Sequence, residues 1–265
     1  MLLGLKRTNM LCRRSESWRP PVFEKPDKAL QRCVAAARRL LDLQAGSIWR
    51  DLRVLLPQVE GTVLDVGCGA QPYRFLFGQK ALYIGLDTAD AKDHFGYEVP
   101  DVVYCVGDVW PVNNSSIDFV LCTETIEHVP VPEVLVEEVS RCLVPGGTVL
   151  LTVPFAARWH FIPHDYWRFT PSGLQRLLEG AGFINVRVYA RGNAVTVACY
   201  KIMALILRFV LPQQFSRPVR FTIQVLSLAL VPALLLLAVV ANVSFLGNGG
   251  DDCLGYTVLA NKRLT

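Results

Sequence analysis

The sequence is poor in charged residues and in the spacings that mark metal sites. Of its 265 residues, 19% are charged and 52% are hydrophobic. The four histidines and eight cysteines include no Cys-x-x-Cys pair and no zinc-type spacing, so we predict no bound metal. Several cysteines lie within apolar, strand-like runs, which is typical of small buried side chains in a reducing compartment.

Signals for secretion and for nucleic-acid binding are also missing. The N-terminal stretch MLLGLKRTNM has too short an apolar run before its first charged residues to act as a secretory signal. The net charge is only +4, and no long run of Lys and Arg alternates with aromatic residues, which argues against a nucleic-acid partner. Basic residues near the N-terminus and around the apolar C-terminal region are compatible with a membrane surface. We therefore expect a cytoplasmic, membrane-associated protein.

Strand-like and helix-like segments alternate along the middle of the chain. Residues 1–26 are rich in Arg, Ser and Pro and predict a flexible arm. A helical pattern begins at residue 27 and is predicted to end at Gly46, and strands then alternate with helices within a domain that spans 27–193. This alternation predicts an α/β fold with a doubly wound, mostly parallel, seven-stranded sheet. Residues 251–265 supply the closing strand of that sheet.

An apolar insertion, residues 194–250, separates the last two predicted strands. The run from Phe221 to Gly250 contains no charged residue and is long enough for a helix that crosses a bilayer. Pro232 is predicted to kink that helix. Because the final strand must return to the same sheet, a single crossing is excluded, and we predict a membrane-seeking helical hairpin. The alternative is a pair of apolar helices that pack on the domain or on a second copy of the chain.

A strand followed by two glycines is the clearest candidate for a ligand-binding motif. The stretch from Val63 reads Val-Leu-Asp-Val-Gly-Cys-Gly, which begins as an apolar strand of the kind buried in a parallel sheet. Gly67 and Gly69 allow the backbone to approach a ligand where any Cβ would clash. Three acids lie at the carboxyl ends of predicted strands, the edge at which open α/β sheets bind ligands: Asp65, Asp87 and Asp108.

These motifs resemble those of the class I S-adenosylmethionine-dependent methyltransferases, over about residues 60 to 190. The resemblance implies a Rossmann-like sheet with S-adenosylmethionine as cofactor. In such a site Asp65 orders the loop and meets the amino group, Asp87 binds the two ribose hydroxyls, and Asp108 faces the adenine amine. The full set of implied cofactor contacts is Asp65, Gly67, Cys68, Gly69, Asp87, Asp108 and Val109.

One departure from the family pattern concerns the residues after the second glycine. Where many members carry a third glycine, this chain has Ala70, Gln71 and Pro72. The change alters the loop but keeps the two glycines nearest the ligand. It also argues against a nicotinamide-binding dehydrogenase, whose G-x-G-x-x-G motif needs a small residue at Pro72.

The candidate catalytic residues are two neighbours in an aromatic segment after the fifth strand, His164 and Asp165, and one residue after the fourth strand, His128. Methyl transfer to a hydroxyl group requires an in-line nucleophile and usually a general base within hydrogen-bond reach. For each candidate, a packing or helix-capping role is the alternative.

The resemblance and the apolar insertion together predict an enzyme of the membrane surface. The expected reaction moves the sulfonium methyl group to an oxygen, nitrogen or carbon atom of a small-molecule, lipid-linked or glycan-linked acceptor. The alternative is a non-catalytic, membrane-anchored binding module on a methyltransferase scaffold.

Overall fold

A computed structural model describes residues 28–96, 99–107, 109–210 and 227–264. The predicted arm (1–26), Asp108 and the start of the uncharged run at Phe221 lie outside the described residues. Within them the helices are α1 (Ala29–Leu41), α2 (Leu43–Leu55), α3 (Ala89–Phe95), α4 (Pro132–Cys142), α5 (Pro171–Gly180), α6 (Ala194–Val210) and α7 (Val231–Ser244). The strands are β1 (Gly61–Val66), β2 (Ala81–Thr88), β3 (Val102–Cys105), β4 (Ile117–Thr123), β5 (Leu143–Pro154), β6 (Phe183–Arg191) and β7 (Gly255–Lys262).

The seven strands form one sheet with the order β3-β2-β1-β4-β5-β7-β6. Strand β7 runs antiparallel to β5 and β6, and the remaining pairs are parallel. This confirms the predicted mostly parallel, seven-stranded, Rossmann-like sheet. The strand order reverses between β1 and β4, so the carboxyl ends of these strands border the crevice in which such sheets bind ligands.

Helices cover both faces of the sheet, as the apolar strands require. On one face, α2 packs its buried Ile48 and Leu52 against Val63 of β1 and Leu150 of β5. On the other face, the main cluster unites buried residues of α4 and α5 with those of the strands. Because both faces are covered, the central strands β1, β4 and β5 contain continuous buried runs, whereas β6 at the edge of the sheet alternates between buried and more exposed residues.

The predicted end of the first helix at Gly46 is wrong. Helix α1 ends at Leu41, and α2 begins directly afterwards because the Asp42 carboxylate accepts a hydrogen bond from the Ala45 N–H at 3.1 Å. Gly46 lies inside α2, where a Cβ would overlap the carbonyl oxygen of Arg39 in α1. Its role is therefore a close helix–helix approach rather than a helix end.

Helices α6 and α7 form an antiparallel pair between β6 and β7. The start of α6 meets the end of α7 through a 2.6 Å hydrogen bond between the hydroxyl groups of Thr196 and Ser244. Their inner sides share a buried cluster with α1 and α2, and Asn242 of α7 accepts a hydrogen bond from Arg50 at 2.7 Å. Pro232 occupies the first turn of α7, so the predicted kink is wrong: a proline there removes no helical hydrogen bond.

Across the described ranges, no helix combines the length and the apolar character that a membrane span needs. Helix α7 has 14 residues.

Candidate functional site

The loop after β1 is held open by its two glycines. Gly67 and Gly69 have φ angles of +67° and +50°, which favour glycine. A Cβ at Gly67 would overlap the side chain of Thr125, so this residue also allows the loop to approach the end of β4. The backbone N–H of Gly67 donates to the Leu86 carbonyl at 2.8 Å, which ties the loop to β2.

Asp65 is a buried acid immediately before this loop. One carboxylate oxygen accepts a hydrogen bond from the Tyr83 hydroxyl at 2.6 Å, and the other has no hydrogen-bond partner among the described residues. Burial raises the pKa of Asp65 to about 7, with a further contribution from the charge of Asp87. Burial also raises the pKa of the Cys68 thiol, so this predicted contact is a small apolar neighbour and not a nucleophile.

Asp87 lies at the carboxyl end of β2, close to the glycine loop. Its two carboxylate oxygens accept hydrogen bonds from the N–H groups of Gly69 at 2.9 Å and of Thr88 at 2.8 Å. The Asp87 carboxylate is therefore fixed at the carboxyl edge of the sheet, beside the glycine loop. Asp108, the third predicted acid, lies outside the described residues, but its flanking neighbour Val109 is described and its side chain is 75% exposed.

The predicted catalytic residues lie on two segments that meet beyond the ends of β4 and β5. His128 closes a short 3-10 turn, Ile126–His128, that follows β4. Its Nδ1 is 2.6 Å from the backbone carbonyl of His164 in the aromatic segment after β5. Burial lowers the pKa of His128 to about 4, so its ring is neutral at pH 7 and Nδ1 is the donor of this bond.

Asp165 holds the aromatic segment together. Its carboxylate forms a two-bond ion pair with Arg168, at 2.6 and 2.7 Å, and accepts the backbone N–H of His160 at 3.0 Å. Although burial alone would raise it, the pKa of Asp165 is held below its usual range by hydrogen bonds from His160 and Arg168. The geometry therefore gives Asp165 a positioning role, while the His164 side chain makes a long 3.5 Å contact with the Tyr166 hydroxyl and packs its ring against Phe161 with centroids 5.2 Å apart.

Sequence reasoning missed two parts of this region. Glu127, fully buried beside His128, lies in the stretch Thr123 to His128 that resembles the family pattern but was given no role, and the acceptor-side candidate His160 comes near both only through the fold. The ion pair of Glu124 and Arg191, 2.7 Å long, joins the ends of β4 and β6, which lie 67 residues apart in sequence. No spacing rule connects such distant residues.

Together, the strand order, the glycine loop and the acids at the strand ends define a Rossmann-like nucleotide-binding domain. A sequence model for a methyltransferase domain matches residues 42–188, more than half of the chain. The chain belongs to this methyltransferase domain family. The predicted resemblance is thereby confirmed.

Several curated proteins are similar to parts of this chain. An uncharacterized methyltransferase of Mycobacteroides abscessus is 35% identical over 100 residues, which cover 34% of this chain and 39% of the relative. Ubiquinone biosynthesis O-methyltransferases of Idiomarina loihiensis and Thiobacillus denitrificans are 26% and 29% identical over 152 and 160 residues. These matches cover 48% and 51% of this chain and 63% and 68% of those proteins. The chain thus spans less than two thirds of the first two relatives.

Two solved structures share the fold. A SAM-dependent methyltransferase from Archaeoglobus fulgidus has a TM-score of 0.51 at 17% identity, covering 83% of this chain and 93% of that one. A SAM-dependent methyltransferase from Thermotoga maritima, described as a possible histamine N-methyltransferase, has a TM-score of 0.50 at 17% identity. The second match covers 88% of this chain and 97% of that one. The predicted cofactor agrees with the description of both.

Proposed function

We propose that this chain is an S-adenosylmethionine-dependent methyltransferase. The observation that carries the proposal is the buried Asp65 carboxylate, which has one oxygen without a donor among the described residues, directly before the glycine loop. A ligand ammonium group would satisfy that oxygen, and the methionine moiety of S-adenosylmethionine has one. The pyrophosphate of a dinucleotide would instead be repelled by a carboxylate in this position.

The remaining cofactor contacts fit the same ligand. The Asp87 carboxylate, fixed beside the glycine loop, is the proposed acceptor for the two ribose hydroxyls, and the exposed Val109 offers an apolar surface for the adenine. Asp108 completes the proposed set. The cofactor supplies an electrophilic sulfonium methyl, which an acceptor nucleophile takes to leave S-adenosylhomocysteine.

The acceptor is proposed to lie against the aromatic segment after β5. Tyr166 and Trp167 have exposed rings, and the Trp167 indole is fixed by a 3.0 Å hydrogen bond to the Val129 carbonyl. His128 lies on the same side of the sheet edge, next to the segment that contacts Gly67. The relatives named ubiquinone biosynthesis O-methyltransferases support an oxygen atom as the methylated position.

The outer side of the α6–α7 pair supports action at a membrane surface. Exposed apolar residues run along α7 and continue on α6: Leu235, Leu236, Val239, Val240, Val243, Ile202, Leu205 and Phe209. An apolar surface of this kind on two adjacent helices is rarely left in water. We propose that the enzyme acts on a small or lipid-linked acceptor at the membrane surface. The two helices would be embedded in one leaflet of the bilayer and would not cross the bilayer.

Titration calorimetry with S-adenosylmethionine tests the cofactor assignment. Asp87→Ala should weaken binding at least tenfold, because the Gly69 N–H and the ribose hydroxyls lose their acceptor. Glu137→Ala, which removes an exposed carboxylate from α4, is the matched control and should bind as the wild type does. Absence of binding by the wild-type chain would contradict the proposal. Cofactor binding without methyl transfer to any lipid or small-molecule extract would favour the non-catalytic binding module.

A further inference from the structure

The Glu127 carboxylate is buried and has no hydrogen-bond partner among the described residues. The residue is 0% exposed, and neither of its carboxylate oxygens accepts a hydrogen bond from a described residue. Its backbone carbonyl accepts the N–H groups of Tyr166 and Trp167, at 2.9 and 3.3 Å, so the main chain is fixed. A buried, unpartnered carboxylate is costly and calls for a cation or a donor that completes it.

Two imidazole rings lie next to this carboxylate. His128 Nε2 is 3.7 Å from the nearer Glu127 oxygen, and the rings of His128 and His160 meet edge to face with centroids 4.9 Å apart. One nitrogen from each histidine and one oxygen from Glu127 all lie within 4.8 Å of one another. Around an ion with bonds of about 2.1 Å, neighbouring ligand atoms are about 3–3.5 Å apart, so small side-chain rotations would close the site.

The Nδ1 atom of each histidine lies close to an acceptor. His128 Nδ1 donates to the His164 carbonyl at 2.6 Å, and His160 Nδ1 is 3.1 Å from a carboxylate oxygen of Asp165. When Nδ1 carries the proton, the lone pair is on Nε2, the nitrogen that can bind a metal. Arg168 in turn holds Asp165. Carboxylate or carbonyl acceptors behind a histidine are the usual outer support of metal ligands.

We propose that Glu127, His128 and His160 bind one divalent ion of the first transition series. Two imidazoles and one carboxylate suit Zn²⁺, Mn²⁺, Fe²⁺, Co²⁺ or Ni²⁺, whereas Mg²⁺ and Ca²⁺ prefer oxygen ligands only. This revises the prediction of no metal, which considered cysteine and histidine spacing alone. Glu127 and His128 are adjacent in sequence, but His160 is brought to them by the chain that follows β5.

The ion would fix the part of the site at which we propose that the methyl acceptor binds. It connects the turn after β4 to the aromatic segment after β5, and Thr125, two residues before Glu127, contacts the glycine loop at Gly67. Three protein ligands leave coordination positions for water or for an acceptor oxygen. The role of an acceptor ligand rests on the proposed methyl transfer, whereas metal binding itself does not.

Metal titration of the full chain after dialysis against a chelator tests the site. Zn²⁺ and Mn²⁺ should bind with one equivalent per chain, Mg²⁺ should not compete at equal concentration, and Co²⁺ should give a visible absorption band. Glu127→Gln and His160→Gln should each weaken Zn²⁺ binding at least 100-fold. Glu133→Gln, which changes an exposed carboxylate at the start of α4, is the matched control and should bind Zn²⁺ as the wild type does.

Calorimetry with S-adenosylmethionine on the same variants separates this site from the cofactor site. Glu127→Gln and His160→Gln should retain cofactor affinity, which also shows that they fold. The proposal is overturned if the wild-type chain binds no transition metal stoichiometrically, or if both variants bind it with unchanged affinity. A wild-type chain that binds the metal but does not bind S-adenosylmethionine would instead contradict the proposed function.

Discussion

Arg191 and Glu124 form an ion pair of 2.7 Å that joins the last residue of β6 to the turn after β4. The Arg191 side chain is almost fully buried and also donates to the Ser47 hydroxyl at 3.1 Å and to the Val153 carbonyl at 3.0 Å. It thus connects α2 and three strand ends on the edge of the sheet that carries the site. Glu124 is two residues before the turn of Glu127 and His128, so the pair helps to fix that turn.

Replacement of Arg191 should therefore destabilise the whole domain. Arg191→Met leaves the Ser47 and Val153 groups buried and Glu124 without its partner, and should cost about 3 kcal/mol of unfolding free energy. Urea denaturation measures the loss. Arg187→Met, an exposed position on the same strand, is the control and should change stability by less than about 0.5 kcal/mol. Equal stabilities of the two variants would refute a structural role for the ion pair.

Gly67→Ala should weaken cofactor binding and folding together. The alanine Cβ would overlap the Thr125 side chain, and the φ of +67° is unfavourable for alanine. We expect a loss of about 1–2 kcal/mol in stability and at least a tenfold lower affinity for S-adenosylmethionine. Gly180→Ala, at the end of α5 where a Cβ would meet no other element among the described residues, should leave both unchanged. An unchanged affinity in Gly67→Ala would mean that the glycine loop does not contact the cofactor.

The stability of the cofactor-free chain should depend on the ionisation of Asp65. Burial raises its pKa to about 7 in the folded state, so between about pH 4 and pH 7 the folded state binds more protons than the unfolded state. The free energy of unfolding should therefore fall as the pH rises through this interval, by at most about 4 kcal/mol. Asp65→Asn, which still accepts the Tyr83 hydroxyl, should remove this part of the pH dependence. Parallel wild-type and variant curves in urea titrations from pH 5 to pH 8 would contradict the assignment.

The affinity for S-adenosylmethionine should show the opposite dependence. A ligand ammonium group favours the ionised Asp65 carboxylate, so binding releases a proton and strengthens as the pH rises from 6 to 8. Calorimetry in buffers of different ionisation enthalpy measures that proton. If the same proton is released by Asp65→Asn, it comes from another group.

Membrane association should depend on the exposed side of α7. Leu236 is 64% exposed and Val239 is 51% exposed, one turn apart. Leu236→Gln with Val239→Asn should lower co-sedimentation with phosphatidylcholine–phosphatidylglycerol vesicles at least tenfold, because each apolar side chain contributes about 1.5–3 kcal/mol on burial. Val54→Gln, an equally exposed apolar position on α2, is the control. Wild-type chain that stays in the supernatant would contradict membrane association outright.

The local sequence pattern was sufficient to predict most of the helices and strands and the location of about half of the candidate site residues. The location of Asp65, the two glycines and Asp87 at one edge of the sheet was predictable, because they lie on a strand or directly after one and parallel strands align their carboxyl ends. The helix boundary at Gly46 and the position of Pro232 were not, because a capping carboxylate and a helix–helix contact decide them.

The sequence by itself determined the class of α/β sheet and the family, since these depend on short-range periodicity and on residues within one motif. Only the tertiary structure decided which groups share the acceptor side. The chain after β5 returns His160 to Glu127 and His128, and β6 brings Arg191 to Glu124. Such contacts depend on how separate segments pack in three dimensions, and the spacing of residues along the chain does not encode which distant segments meet.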